Sequence, residues 1–487
     1  MVFSSLIFLY AFLPLSLLCY VACGSIKAKN ASLLVFSLIF YAWGEPKYVF
    51  LLMFMSMAAW FCALRIEAAP SRESGKTWLI ISCILDIALI GFFKYSGLIC
   101  SVFGEVPNFI SRIALPIGIS FYTFQLLTYV VDVYRRDAPA QRSYWNVLLY
   151  AALFHQCVAG PIVRYKTIAH ELFEARRPEG ELLAGISRFA VGLAKKALLA
   201  NPCGSLTETL LLSDAAISNP ALFSENLRAL SQLPALGVWL GMLAFTLQIY
   251  LDFSAYSDMA VGLGKMLGLH YPENFDYPYV SRSVTEFWRR WHMSLGEFFR
   301  DYVYIPLGGR RCSAARNVLN LFVVWALTGL WHGASWNFVF WGVYYFVFLL
   351  AERGFMRRAL SRLPGIFSHL YVIFAVFFGW IIFRFSNMTL GWTVFLGLFG
   401  ANGNGLADFA VVTQLKNNLF LLAVSIVACT PMARTLGNRL FIYSRRRPKL
   451  GSLWETAVYS LLPALMLLFS TASLVGDSYN PFIYFQF

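Results

Sequence analysis

The chain has 487 residues, of which 59% are hydrophobic and 13% charged, whereas soluble domains carry roughly 25% charged residues. This composition excludes a soluble globular protein and leaves a membrane protein. A formal net charge of +14 would suggest nucleic acid in a soluble chain, but here Lys and Arg gather in loops between apolar runs, as they do on one side of a membrane, so no nucleic-acid partner is expected.

Apolar runs such as Ser5–Cys23, Tyr48–Leu64, Trp78–Phe93, Leu233–Leu251 and Ala457–Val475 match, or nearly match, the roughly 20-residue helix that crosses a bilayer. Such runs give about eleven to thirteen membrane-embedded segments. The expected fold class is all-α: a polytopic integral membrane protein whose segments include re-entrant and interfacial helices. One membrane domain, 1–487, takes up the chain, with no stretch left for a soluble domain. No Lys or Arg precedes Lys27, so the positive region of a signal peptide is missing and the first apolar run is expected to be retained.

The basic loops predict the orientation. Lys27 and Lys29 follow the first run, then come Arg65, Arg72 and Lys76, and next Arg135, Arg136 and Arg142. Arg164, Lys166, Arg176 and Arg177 follow, and later the arginines between Arg282 and Arg316, between Arg353 and Arg362, and from Arg434 to Lys449. The intervening stretches Ile99–Ser111, Gly204–Gln232 and Gly400–Asn417 carry almost no basic residue. The bias places the basic loops in the cytoplasm and both termini outside.

Three places resist a simple crossing pattern. Trp145–Val163 lies between two basic loops and ends in Ala159-Gly160-Pro161, which predicts a re-entrant segment packed inside protein. Arg188, Lys195 and Lys196 fall within an otherwise helical stretch, where they either shorten the helix or line a wet cavity. Asp252, Ser254, Ser257 and Asp258, followed by Gly262, Gly264 and Gly268, predict a break at the end of the Leu233 run, because broken helices with polar groups usually line a cavity.

The nine cysteines are scattered with no C-x-x-C pair, so neither disulfides nor a metal site is expected. No internal repeat is visible. That weakens a reading as a secondary transporter, many of which have two related halves.

The chemistry is expected between Ser281 and Gly342, which holds two of only six histidines. Taken as one helix, Thr285–Arg300 gathers Phe287, Trp288, Trp291, His292, Leu295, Phe298 and Phe299 on one face. Glu286, Arg289, Arg290, Glu297 and Arg300 fall on the other, the pattern of an interfacial amphipathic helix. His292 is then either a hydrogen-bonded core histidine or part of a cytoplasmic entry where Arg289 and Arg290 attract an anionic donor. Asn317–Trp331 and Trp336–Leu350 read as two apolar helices with His332 at their junction. Gly329 and Gly333 allow close approach, Trp331 and Trp336 supply flat walls, and Asn337 supplies a hydrogen-bonding side chain. A neutral imidazole there could take a proton from a hydroxyl, against the plainer reading of a structural histidine. A thioester donor, a hydroxyl acceptor and one base require little more than positioning and oxyanion stabilisation. No G-x-S-x-G elbow supports a serine hydrolase.

These residues resemble a known family. FWRRWHMSLGEFFRDYVYIPLGG followed by LTGLWHGASWNFVFWG is similar to the membrane-bound O-acyltransferase family. The closer resemblance is to its bacterial branch, which includes alginate and peptidoglycan O-acetylation proteins and the D-alanyl transfer protein of teichoic acids. FYAWGEPKY (Phe40–Tyr48), LPIGISFYTFQLLTYVVDVYR (Leu115–Arg135), VAGPIVRY (Val158–Tyr165), QIYLDFSAYSDMAVGLG (Gln248–Gly264) and NPFIYFQF (Asn480–Phe487) match as well. The resemblance implies that His332 is the catalytic base and that His292 lies on the cytoplasmic side of a funnel-shaped core. Gln248, Asp252, Ser254 and Asp258 would line that funnel. No tightly bound cofactor is implied; the donor would be acetyl-CoA, another acyl-CoA or an acyl-carrier thioester.

Under this topology the tail 477–487 is extracytoplasmic. It resembles an F-x-Y-x-x-F tail found in these pathways, and Tyr484 could carry the acyl group from His332 to an external enzyme, or serve only as an aromatic interfacial anchor. The expected function is transfer of an acyl group, acetyl being favoured, from a cytoplasmic thioester to an extracytoplasmic polysaccharide at a bacterial inner membrane. The partners would be membrane lipids, an esterase-like SGNH-type acyltransferase and, through it, the polysaccharide. A transporter or flippase of lipid-linked or acyl-carrying substrates, with His332 as a proton relay, is the alternative from another class. A scaffold without chemistry is a third.

Overall fold

Backbone amides surrounded by lipid find no water, so an apolar segment must satisfy them within itself, and helices do so. The computed structural model describes residues 1–104, 106–176, 180–445 and 448–476; it is 78% helical with no strand among the described residues. Among the described residues eight helices are long and apolar enough to cross a membrane, beginning with Val49–Glu67 and ending with Leu450–Gly476. The protein is therefore a multi-pass, all-α membrane protein. Shorter helices accompany them: Phe8–Ala22, Met388–Leu398, the 17-residue Ile119–Arg135 and the nine-residue Tyr144–Ala152. The tail 477–487, with Tyr484, lies outside the described residues.

The chain forms two compact units. The first comprises Met1–Leu193, Tyr256–Glu273 and Tyr459–Leu467. In it Val49–Glu67 packs against Arg72–Ile90 and Ile119–Arg135. Tyr144–Ala152 has nine residues, about 14 Å of helix, too short for a hydrocarbon layer of about 30 Å. The chain beyond it, 153–163, is buried, as a re-entrant segment requires. Gly118 (φ +76°) makes that possible, because a Cβ there would stand 2.3 Å from the Cys157 carbonyl oxygen.

The second unit comprises Ala194–Ala255, Asn274–Val458 and Leu468–Phe487. It contains a helical hairpin, Ala314–His332 and Trp336–Ala351, joined through Gly333, Ala334 and Ser335. The two backbones touch at glycines. A Cβ on Gly342 would lie 2.4 Å from the Trp325 carbonyl oxygen, and one on Gly329 2.3 Å from that of Phe338. Small residues at a crossing are the usual way for membrane helices to gain contact without a hydrophobic driving force. Here they also fix how closely the hairpin closes on His332.

The break predicted at the end of the Leu233 run, around Asp252–Asp258, is absent: Ala235–Met266 is one helix of 32 residues, with Ala235–Ala255 in the second unit and Tyr256–Met266 in the first. Its polar side chains do not unwind it because they are matched by bases on the run 182–211, which stays helical through a π turn at Lys195–Ala200. Within the first unit, Arg188 bonds Asp258 at 2.7 Å and Glu273 at 2.6 Å. Within the second, Lys196 meets Asp252 at 2.7 Å and Lys195 donates to Ser254 at 3.0 Å. The three bases therefore neither shorten their helix nor stand on the cavities described below. Gly262 serves packing: a Cβ there would be 2.6 Å from the Phe189 amide nitrogen.

Candidate active site

The stretch expected to be one helix from Thr285 to Arg300 is two, Val284–Arg290 and Met293–Phe299. The break falls at His292, in the left-handed region with φ +45° and ψ +55°. A non-glycine residue adopts that conformation only where its surroundings hold it, and here Asn274 does so. Its Oδ1 accepts from Ser294 N at 3.3 Å and Ser294 Oγ at 2.9 Å, and stands 3.1 Å from His292 Nδ1. Because a backbone amide donates to that oxygen, the amide orientation is set. His292 Nδ1 then carries the proton and Nε2 the lone pair. Burial lowers the His292 pKa to about 3, so the ring is neutral at pH 7. The start of the first helix is pinned by Glu352, a buried carboxylate accepting from Val284 N at 2.6 Å, Thr285 N at 2.9 Å and Thr285 Oγ1 at 2.6 Å. A negative charge on exposed amides at a helix start is favourable.

His332 is the last residue of Ala314–His332. The helix ends where Gly333 turns to extended backbone, and only a glycine fits there: a Cβ would be 2.3 Å from the Phe338 ring. The imidazole is ringed by aromatic groups, with centroids at 4.9 Å to Trp331, 4.9 Å to Trp341, 5.2 Å to Phe383 and 6.5 Å to Phe338. The carbonyl end of a helix carries partial negative charge, which favours the imidazolium that a base becomes on taking a proton.

Both histidines line one cavity of about 1150 Å³, slightly above the range of about 300–1,000 Å³ for small-molecule sites. Trp331 lies between them, its ring 5.5 Å from His292 and 4.9 Å from His332. Exposed arginines Arg282, Arg289, Arg300, Arg310, Arg353 and Arg357 line the same cavity. A second cavity, of about 260 Å³, is lined by Gly333, Ala334, Ser335, Asn337 and Phe338 together with Asp214 and Arg384. The short link of the hairpin therefore has His332 on one cavity and the residues just after it on the other. Arg384, buried at that second cavity, pairs with Asp214 at 3.0 Å and donates to the Leu212 carbonyl at 2.6 Å.

The other expected site residues fall in different places. Arg289 is on the large cavity, whereas Arg290 is occupied by Glu286 at 2.9 Å and Asp276 at 3.3 Å and lines neither cavity. Asn337 spends its amide protons on the Ile382 and Phe383 carbonyls, at 3.2 and 3.0 Å. Trp336 is 51% exposed and lines neither cavity; it faces outward, as interfacial tryptophans do. Gln248, Asp252, Ser254 and Asp258 are buried on the long helix and line neither cavity. Among the described residues no three His, Cys, Asp or Glu side chains gather as metal ligands. Asn274, Glu352, Trp341 and Arg384 were not legible as site residues. A carboxylate ending an apolar helix could have drawn attention to Glu352; nothing in the sequence marks Asn274.

The sequence profile of the membrane-bound O-acyltransferase family matches residues 49–400, and the chain belongs to that family. It is 33% identical to a probable alginate O-acetylase, AlgI, of Pseudomonas aeruginosa over 541 aligned positions spanning all of both chains. It is 29% identical to a peptidoglycan O-acetyltransferase of Helicobacter pylori, over 84% of this chain and 82% of the relative. A teichoic acid D-alanyltransferase of Bacillus subtilis is 27% identical over 50% of this chain and 60% of its own. The protein is a membrane O-acyltransferase.

Proposed function

We propose that the protein takes a small acyl group, acetyl, from a thioester in the cytoplasm and passes it to a hydroxyl on the other side of a bacterial inner membrane. A polysaccharide would be O-acylated at the end of the relay. The observation that carries this reading is the position of His332, on an arginine-lined cavity, while Gly333, Ala334, Ser335, Asn337 and Phe338 just after it line a second one.

In the proposed reaction the arginines draw in the phosphates of an acyl-CoA or the prosthetic group of an acyl carrier. The thioester carbonyl comes to rest beside His332. An acceptor hydroxyl entering from the second cavity gives its proton to the imidazole as its oxygen attacks the carbonyl carbon. The carbon–sulfur bond then breaks, and the imidazolium returns the proton to the departing thiolate. His292, neutral and held by Asn274, orients the donor. Tyr484 is the proposed first acceptor, from which a separate SGNH-type esterase-like acyltransferase would make the polysaccharide ester.

Polysaccharide from a deletion strain complemented with wild-type protein or His332→Ala provides the test. Loss of ester acetate with His332→Ala, at unchanged membrane abundance, is expected; wild-type acetylation would overturn the assignment. Mass spectrometry of protein trapped with donor tests Tyr484. An unmodified Tyr484 together with full activity of Tyr484→Phe would remove it from the relay.

A further inference from the structure

The two cavities differ in charge. Exposed arginines line the larger one, whereas among the described residues lining the smaller only Asp214 and Arg384 are charged, and they pair with each other at 3.0 Å. Arg384 ends the helix Gly365–Arg384 with a side chain only 2% exposed. A guanidinium keeps its charge in any protein surrounding and is costly to bury without a countercharge. Asp214 supplies one, so the cavity holds a cation and an anion but no net charge. Phe245, Phe338 and Phe383 give it aromatic walls, and the Arg384 guanidinium lies over the Phe245 ring at 5.0 Å.

The pair leaves one polar atom open. Among the described residues Arg384 engages Asp214 Oδ1, while Oδ2 has no partner and is not sealed from solvent; the side chain is 30% exposed. The chain bends sharply just before it. Leu212 has φ +68° and ψ +159°, a region that residues other than glycine occupy only where their surroundings hold them, and such strain gathers at ligand clamps. Arg384 does the holding, with Nη2 donating to the Leu212 carbonyl at 2.6 Å. Asn226 fixes the far side, donating to the Ala216 carbonyl at 2.8 Å. One arginine thus balances Asp214 and secures the turn that leads to it.

We propose that Asp214 and Arg384 make the second cavity selective for an uncharged hydroxyl acceptor, a phenol beside a peptide amide, an inference that rests on the function proposed above. The phenylalanine walls suit the phenol ring. Its hydroxyl is the group that reacts at His332, and Asp214 Oδ2 accepts a hydrogen bond from the neighbouring amide N–H. A carboxylate in place of that amide would meet Oδ2 as a like charge, with the Arg384 charge already balanced, and such an acceptor is turned away. The anionic donor and the neutral acceptor are thereby sorted to different cavities. Asp214 and Arg384 set specificity and take no part in the proton transfer.

The test is purified full-length Tyr484→Phe protein, in which the tail phenol cannot compete, given acetyl-CoA with 4-hydroxyphenylacetamide or 4-hydroxyphenylacetate. Aryl acetate is followed by mass spectrometry, and kcat/KM is taken for each acceptor. With Asp214 in place the amide is expected to be preferred by at least about tenfold. Adding Asp214→Asn keeps the shape but leaves Arg384 unbalanced, so the preference should shift at least about tenfold toward the acid. Asp214→Glu keeps the charge on a longer arm and should keep the preference, which remains measurable if Asp214→Asn folds poorly. A merely structural role for the pair would lower kcat/KM for both acceptors alike and leave their ratio unchanged. Equal use of the two phenols with Asp214 in place, preference for the acid, or acetylation of neither overturns the inference. The two readings fail separately. Ester acetate retained in His332→Ala cells removes acyl transfer at His332; its loss there, with the two phenols used equally, removes only the selectivity assigned to Asp214.

Discussion

The buried pair Lys196–Asp252 offers a direct test of whether the polar block on the long helix is architecture or substrate path. The charged atoms are 2.7 Å apart, on side chains only 5% and 2% exposed. At that distance and an effective dielectric of about 20, the attraction is about 6 kcal/mol. Dehydrating each ion costs several kcal/mol, so the pair nearly cancels, whereas removing one end leaves a buried carboxylate without this countercharge, at a cost of about 3–5 kcal/mol. Lys196→Met is therefore expected to lower the melting temperature by several degrees in detergent, followed by tryptophan fluorescence. Adding Asp252→Leu should restore most of the loss, since apolar residues of similar size often replace a buried pair without penalty. The double variant should also retain acyl-thioester turnover. An unchanged melting temperature in Lys196→Met would refute the reasoning. A double variant that is stable yet inactive would place Asp252 on the substrate path instead.

Other outcomes follow from the same geometry. In Gly342→Ala the new methyl would meet the Trp325 carbonyl oxygen at 2.4 Å. The hairpin must spread, costing about 1–3 kcal/mol, and both melting temperature and turnover should fall. Asn274→Ala removes the oxygen that holds His292 in the left-handed region and should cost about 1–3 kcal/mol; Asn274→Asp, which keeps Oδ1, should lose less in the same melt. Burial holds His292 at a pKa of about 3 against an ordinary 6.5. The unfolded chain therefore binds the extra proton between those values, and stability rises with pH across that window. His292→Gln should flatten the acid limb of melting temperature against pH. His270 has the opposite sign: hydrogen bonds that its ring donates to the Glu181 and Glu171 carboxylates outweigh burial and raise its pKa. Its contribution is complete below about 6.5 and is lost as pH rises through the raised value, so His270→Gln should flatten the neutral-to-alkaline limb.

Much of the site was legible where identity alone carries information. Apolar length predicts membrane helices because lipid leaves a backbone no alternative. A histidine between two apolar helices stands out because an ionisable group at that depth is costly without a purpose. The ends of Ala314–His332 and Trp336–Ala351 lie within a few residues of those expected, since Gly333 and the polar Ser335 punctuate the run. The helix assigned to Thr285–Arg300 failed for a definite reason. Its periodicity is helical on both sides of His292, and the break depends on Asn274, 18 residues earlier, a contact no local pattern encodes.

The predicted break in Ala235–Met266 failed in the same way. Asp252, Ser254 and Asp258 looked disruptive only because their partners Lys196, Lys195 and Arg188 lie some 55 to 70 residues away in sequence. Sequence by itself determined the class of protein and the all-α membrane architecture, and it singled out His332 and His292 as candidates, because composition, run length and rare ionisable residues are local properties. Only the tertiary structure decided that both histidines share one arginine-lined cavity, that Trp336 turns away from it, and that the Trp341 ring packs against the imidazole. Those facts depend on distances between helices, which two glycines at the hairpin crossing set and which no single run of residues states.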